Sequence, residues 1–343
     1  MLVALAGGVG AARFLRGLVR VHPPADLLVI GNTGDDLRLH GLAVSPDLDS
    51  VAYTLAGLAD EERGWGLAGE TWNVLEAIQR LGEPSWFALG DRDIATHLLR
   101  TRLLADGASL SQATAELCGR LGVPVRLVPM SDQPVQTRVQ VQGPDGPEDL
   151  GFQEYWVARR ARDPVLRITF AGIERARPAP GLLDAIAAAD GIILCPSNPV
   201  VSVAPILAVP GIRAAIQNVA CRTVAVTPIV GGAPVRGMAD KLLPAWGVEV
   251  SARGVAGLYS GLADAFVLDQ VDGEQARDIA ELGLEPIVAP TLMHTVEDAA
   301  ALAKIALDAL GGSGGLKSEA GTQAPGNQGN PSGSLPVDRG ASG

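Results

Sequence analysis

A doubly wound α/β fold with a mainly parallel sheet is predicted by three features of the chain. Short, wholly apolar runs of strand length recur along it, as expected for strands buried on both faces. Each run ends in glycine, proline, serine or aspartate, where α/β sheets place their ligand loops. The composition is 47% apolar but only 4% aromatic, so the core is built from Ala, Leu and Val, which suits helices packed on such a sheet.

Residues 2–6 (LVALA) form the first strand and bend at once into Gly7-Gly8-Val9-Gly10. A helix pattern covers 11–21, and a second strand, 27–30, opens into Gly31-Asn32-Thr33-Gly34-Asp35-Asp36. Residues 49–57 read as a helix and 86–89 (WFAL) as a strand. Helices follow at 94–105 and 111–121, the latter capped near Ser111. Strands at 125–128, 191–195, 223–226 and 265–268 and helices at 182–188 and 205–216 continue the alternation. Between 133 and 180 the rhythm changes. Residues 135–142 alternate, Gly143-Pro144-Asp145-Gly146 turns, and 165–170 alternate again. This is a hairpin-rich insertion suited to a lid or to an interface such as that of a homodimer. The main body is therefore expected over 1–132 and 181–310, with 133–180 inserted. Residues 311–343 are rich in Gly, Ser, Pro, Asn and Gln and are expected to be a disordered tail.

With 27 basic against 38 acidic residues the net charge is −11, which argues against a nucleic-acid partner. A local anion site is compatible with it. Cys118, Cys195 and Cys221 are widely spaced and lack metal-ligand spacing, so buried thiols in a reducing compartment are expected. There is no leader pattern and no apolar stretch of membrane length, and a cytoplasmic protein is expected.

Glycines at strand ends let backbone N–H groups close on an anion, and a helix N-terminus favours negative charge there. Gly8 and Gly10 sit in such a turn, but position 13 is arginine, so the dinucleotide fingerprint lacks its third glycine; no Walker lysine follows either. Asp35 and Asp36 read either as turn residues or as ligands for a divalent cation, and Asp49 either as a helix N-cap or as a ligand. Asp35, Asp36, Asp47 and Asp49 all follow one strand, which favours metal and hydroxyl chemistry. Arg92 could pair with Asp91 or Asp93 or clamp a phosphate, and His97 reads more readily as a helix histidine than as a base. Ser197 and Asn198, between two prolines, make a rigid, donor-rich loop. Thr227–Gly232 repeats the strand-then-glycine pattern. Loops at one edge of one sheet make one large pocket.

The segments GGVGAARFLRGL, NTGDD with HGL, SPDLDSVAYTLAG, GWGLAGETW, WFALGDRDIATHLLRT, LVPMSDQPVQT, FQEYWV, PSNPVVSVAPILAVPGIR and GVAGLY occur in that order. Together they resemble the CofD family, the 2-phospho-L-lactate transferases of coenzyme F-420 biosynthesis, from residue 1 to about 308. The resemblance implies a Rossmann-like sheet. It also implies transfer of a phospholactyl or phosphoenolpyruvyl group from a GDP-linked donor (lactyl- or enolpyruvyl-2-diphospho-5'-guanosine) to the ribityl hydroxyl of the deazaflavin Fo. GMP is released, and the family is Mg²⁺-dependent. Residues 64–72 look like the bacterial branch, whose donor carries phosphoenolpyruvate. Carried onto this chain, Gly8, Gly10 and the backbone around Asn32 would hold donor phosphates. Asp36 and Asp49 would be the catalytic and metal-binding aspartates, with Asp49 also orienting the Fo hydroxyl. Ser197 and Asn198 would face the guanosine, and Arg13 and Arg92 would be charge partners. Ala88 lines the implied Fo site at a position that is often basic in relatives, and Met238 departs from a Gly-Pro-Ala run. An alternative is a nucleotide-sugar-binding regulatory protein of the same fold, similar to the gluconeogenesis-factor regulators. That family shares the glycine start but not the SPDLD, GDRDxATH and PSNP set.

Overall fold

The structure, a computed structural model, describes residues 1–312. The tail expectation for 311–343 lies almost wholly outside the described residues.

The strands in chain order are β1 (Leu2–Ala6), β2 (Leu27–Gly31), β3 (Leu37–Leu39), β4 (Leu42–Val44), β5 (Arg126–Pro129), β6 (Gln136–Gly143) and β7 (Gly146–Gly151). They continue with β8 (Val165–Ala171), β9 (Gly191–Leu194), β10 (Thr223–Val226), β11 (Ile229–Val230), β12 (Ala233–Pro234), β13 (Ala265–Asp269) and β14 (Glu285–Ala289). Seven of them form one parallel sheet in the order β14-β13-β10-β9-β1-β2-β5. The chain steps outward from β1 through β2 to β5, then returns to β9 and steps outward the other way. Strand order therefore reverses between β1 and β9, and the crevice above that point is where such sheets bind ligands. The predicted doubly wound, Rossmann-like class is the observed one.

Period-two alternation divides the central strands between two cores. Val3 and Leu5 of β1 face one layer with Ile30, Ile192 and Leu194. Leu2, Ala4 and Ala6 face the other, with Val29, Ile193 and Val224. Both faces are covered, so β1 is a continuous apolar run rather than an alternating one.

Among the helices that cover the second core are α1 (Gly8–Val21) and the C-terminal helix Val296–Leu310. The latter begins with a reciprocal capping box between Thr295 and Asp298. The two helices meet at Gly17, where a Cβ would overlap the backbone of Ala299 and Ala300. Backbone cannot yield as a side chain does, so Gly17→Ala is expected to cost about 1–3 kcal/mol. A fall in the urea midpoint with an unchanged slope would report it, and an unchanged midpoint would refute it.

The remaining labelled helices are α2 (Pro46–Leu55), α3 (Asn73–Arg80), α4 (Asp91–Ala105) and α5 (Leu110–Leu121). Helix α2 starts three residues earlier than its apolar pattern indicates. Asp49 is therefore inside the first turn, its N–H bonded to Ser45 O at 2.9 Å, and is not the N-cap. The α5 cap is Ser109 with Gln112, not Ser111, whose N–H goes to Asp132. The expected helix 205–216 is two helices, Ala204–Ala208 and Ile212–Asn218, broken at Val209-Pro210-Gly211, where Gly211 has φ 95°. Residues 86–89 are not a strand: no neighbouring strand receives them, and they pack as a small cluster in which Leu89 meets Leu39 and Val44. Strand β14 was not legible because it is an edge strand, half exposed, with Pro286 at its second position. Within 133–180, β7, β6 and β8 form an antiparallel sheet, β6 and β7 joined as a hairpin and β6 paired with β8.

Candidate active site at the strand-order reversal

A cavity of about 750 Å³ opens above the β1–β9 crevice. The loop after β1 and the first turn of α1 line it, and so do the loop after β9, the start of α2, residues 86–88 and part of the insertion.

Gly8 adopts φ 69° and begins α1, whose first turn lines the cavity with its N-terminal end. The preceding Gly7 is needed for space: a Cβ there would lie 2.5 Å from both Asp47 Oδ2 and Ser202 Cβ. The N–H of Gly7 donates to Ser197 Oγ at 3.2 Å, which ties the β1 loop to the β9 loop. Gly10 also lines the cavity, but its lack of a side chain serves packing, because a Cβ would overlap the Pro196 carbonyl oxygen. Asn198 lines the cavity while its Oδ1 accepts from Val200 N (3.0 Å) and Val201 N (3.4 Å), capping the wide turn Pro199–Val203. Ala88 is on the wall with Trp86 and Phe87.

The aspartates are arranged differently from expectation. Asn32 is fully buried and its N–H is bonded to Ala6 O, so its backbone N–H is not free for a phosphate. Its side chain instead organises the acids. The amide nitrogen donates to Asp35 Oδ1, to Asp47 Oδ2 (2.9 Å) and to Val201 O (3.1 Å), and its oxygen accepts from Gly34 N (2.8 Å). Asp35 and Asp47 both line the cavity. Burial, then the neighbouring charges of Asp47 and Asp36, push the Asp35 carboxyl well above the usual range. Burial pushes Asp47 up to about 6, against hydrogen bonds from Asn32, Ser202 and the Gly8 N–H. Asp36 is off the cavity wall: Ser45 Oγ donates to its Oδ2 at 2.8 Å, and its Oδ1 is buried without a partner. Of the adjacent pair it is Asp35 that faces the site, because consecutive residues of a turn point in different directions.

Asp49 lines the cavity as expected, but behind it stands Arg100, which sequence reading missed. Arg100 Nη2 pairs with Asp49 Oδ1 and Nη1 donates to Oδ2 at 3.1 Å. Burial opposes the Arg100 charge, yet Asp49 outweighs it and the net shift of the guanidinium is upward. Arg100 Nη1 also lies 3.2 Å from His97 Nδ1. Arginine can only donate, so Nδ1 accepts and Nε2 carries the proton, facing Asp93 Oδ1 at 3.2 Å. Tyr53 donates to the same Asp93 oxygen at 2.6 Å. The result is a buried chain Asp49–Arg100–His97–Asp93–Tyr53. One signal was available: Asp93, His97 and Arg100 are spaced four and three apart, one face of one helix.

Arg92 is not a phosphate clamp, since its guanidinium is exposed, donates to Ala68 O at 3.1 Å and is absent from the cavity wall. Asp91 accepts from Thr71 Oγ1, Asn73 N, Asn73 Nδ2 and Val74 N, and these hydrogen bonds hold its carboxyl down to about 2. It pins residues 71–74 to the start of α4. From the insertion, Phe152, Gln153, Trp156 and Arg160 reach the wall, and Gln153 Nε2 donates to Asp35 Oδ2 at 3.3 Å. Cys118 and Cys195 are buried, as expected, whereas Cys221 is only half-buried.

Residues 2–289 match the family described as 2-phospho-L-lactate transferase CofD. The chain belongs to the CofD family. It is similar to a phosphoenolpyruvate transferase from Streptomyces griseus, at 51% identity over 309 residues covering 90% of this chain and 97% of that one. It is 50% identical to one from Kitasatospora aureofaciens over 309 residues, covering 89% and 96%. One from Mycolicibacterium smegmatis is 40% identical over 327 residues, covering 90% and 98%. A solved UPF0052-family protein from Bacillus halodurans matches with a TM-score of 0.59 at 17% identity, over 89% of this chain and 98% of that one, which speaks for the fold alone. Membership of the CofD family makes the chain a transferase of coenzyme F-420 biosynthesis, and the regulatory alternative is not favoured. Among the described residues no single helix is long and apolar enough to cross a membrane.

Proposed function

We propose that this chain transfers a phosphoenolpyruvyl group from enolpyruvyl-2-diphospho-5'-guanosine to the ribityl hydroxyl of Fo and releases GMP. The observation that carries this reading is the mixed lining of one cavity. A helix N-terminus, Ser197 and arginines line it, which suits phosphate oxygens, and so do Trp65, Trp86, Phe87 and Trp156, which suit a flat ring system. The names of the relatives quoted above support the enolpyruvyl over the lactyl donor.

In the reaction the hydroxyl oxygen bonds to the β-phosphorus as the bridging bond to GMP breaks. Such transfers depend on positioning and on charge neutralisation more than on covalent help. The α1 N-terminus and its glycine turn hold phosphate oxygens. Asp49, its position fixed by Arg100, accepts a hydrogen bond from the attacking hydroxyl and aims it. Aromatic side chains around Ala88 hold the deazaflavin and keep water out.

The donor set fits Mg²⁺. Asp35 and Asp47 line the same cavity, are held together by one amide, and are both pushed towards the neutral form, so a dication would satisfy them. Asp35 and Asp47, rather than Asp36 and Asp49, would hold the ion. Bound there, Mg²⁺ supplies neutralisation of phosphate charge.

Mass spectrometry of the purified protein with Fo, Mg²⁺ and each donor in turn tests the reading. Product and GMP from the enolpyruvyl donor, with little from the lactyl one, is the expected result. The reverse preference would correct the donor. Nucleotide binding without product from either would point to a regulatory role on the same fold.

A further inference from the structure

Three arginines line the cavity, Arg13, Arg160 and Arg236, and among the described residues none of them forms an ion pair. Two of these border the same glycine: Arg13 and Gly64 line one smaller pocket, and the Arg236 guanidinium lies against Gly64. Arg13 lies on α1, one turn beyond Gly10, and Arg236 follows β12. Burial, and then the like charge of Arg13, push the Arg236 guanidinium below its usual value. The Arg236 side chain is also held in place. It lies over Gly64, where a Cβ would overlap the guanidinium, and its Nη2 donates to Arg63 O at 3.4 Å. Gly64 has φ 75°, so this close approach uses the residue type that both the space and the backbone require. Two like charges on one cavity wall, neither of them in an ion pair, are an arrangement that an oxyanion completes.

We propose that Arg13 and Arg236 form a two-arginine clamp for an oxyanion of the donor, and that they set donor affinity. This rests on the donor reading above. The oxyanion has two sources, the diphosphate and the acid carried on it, and both have the same chemistry for a guanidinium pair. Repulsion between the two cations is present in the free protein and relieved in the complex. Removing one of them should therefore weaken binding without weakening the fold.

The test is calorimetric titration of wild type, Arg13→Gln and Arg236→Gln with GDP and, separately, with phosphoenolpyruvate. Thermal unfolding of each protein without ligand and steady-state kinetics in Fo accompany it. The expected result is about tenfold or greater loss of affinity in both variants for at least one probe. Loss towards GDP places the clamp on the diphosphate, and loss towards phosphoenolpyruvate alone places it on the transferred acid. The KM for Fo should be unchanged, and the unliganded melting temperature should hold or rise. Arg236→Lys should retain part of the affinity, since charge remains while the planar fork is lost. Unchanged binding of both probes in either variant, where wild type binds, overturns the clamp. A fall in unliganded stability with equal loss towards Fo also overturns it, since that is the mark of a structural role. If wild type binds neither probe, the donor reading fails and the clamp with it.

Discussion

Replacing Arg100 with alanine is expected to cost about 3–5 kcal/mol of stability, because it leaves the buried Asp49 carboxylate without its partner. Arg100 is only 2% exposed, so water cannot take over its hydrogen bonds without opening the packing of α4 against β4. His97 Nδ1 loses its donor in the same step, and the influence of Arg100 on Asp36 and Asp93 is removed. Urea denaturation followed by circular dichroism measures the loss. The double variant Arg100→Met with Asp49→Leu separates stability from chemistry. With both charges gone the fold should recover most of what the single change removed, as buried pairs replaced by apolar residues commonly do. Activity should stay absent. A single variant that unfolds at the wild-type midpoint would mean that Asp49 is not dependent on this pair.

The second large effect falls on turnover. Asp49→Asn keeps the size of the side chain and one oxygen to face Arg100, but it loses the second bond and the charge of the pair, so stability falls as well, and it weakens the acceptor that aims the hydroxyl. On the proposed mechanism kcat should fall by about 10²–10⁴-fold. The KM for the guanosine donor should change little, since the α1 turn and the arginines that hold it are untouched. A kcat close to wild type would remove Asp49 from the mechanism and move attention to Asp35 and Asp47. A parallel rise in both KM values would instead mark a collapsed cavity.

What could be read from the sequence follows from how each element is buried. Strands β1, β2, β9 and β10 are covered on both faces, so each appears as an unbroken apolar run that no helix pattern imitates. Residues 86–89 present the same short run but owe their apolar character to a cavity wall and a satellite cluster. Strand β14 fails the same criterion from the other side, as an edge strand does not need a full run. At the site, Gly8, Ser197 and Asn198 were legible because they directly follow central strands. The choice between Asp35 and Asp36 was not, because it depends on which way a tight turn twists, and the Asn32 amide decides that. Arg100 was hidden for another reason. It lies 51 positions after Asp49, and only the side-chain bonds that join α4 to α2, Arg100 to Asp49 and Tyr53 to Asp93, make them partners.

The position of β1 has a consequence for how the protein is made. Its two neighbours in the sheet are β2, which follows closely, and β9, which begins only at Gly191. During synthesis one edge of β1 therefore waits, unpaired, until the long segment between β2 and β9 has left the ribosome, and the helix that clamps α1 arrives later still. The glycine turn of the cavity precedes the other parts of the site in the chain and is among the last to be fixed. A nascent chain stalled before β9 would carry nearly all the aspartates of the site and none of the crevice that gives them a purpose.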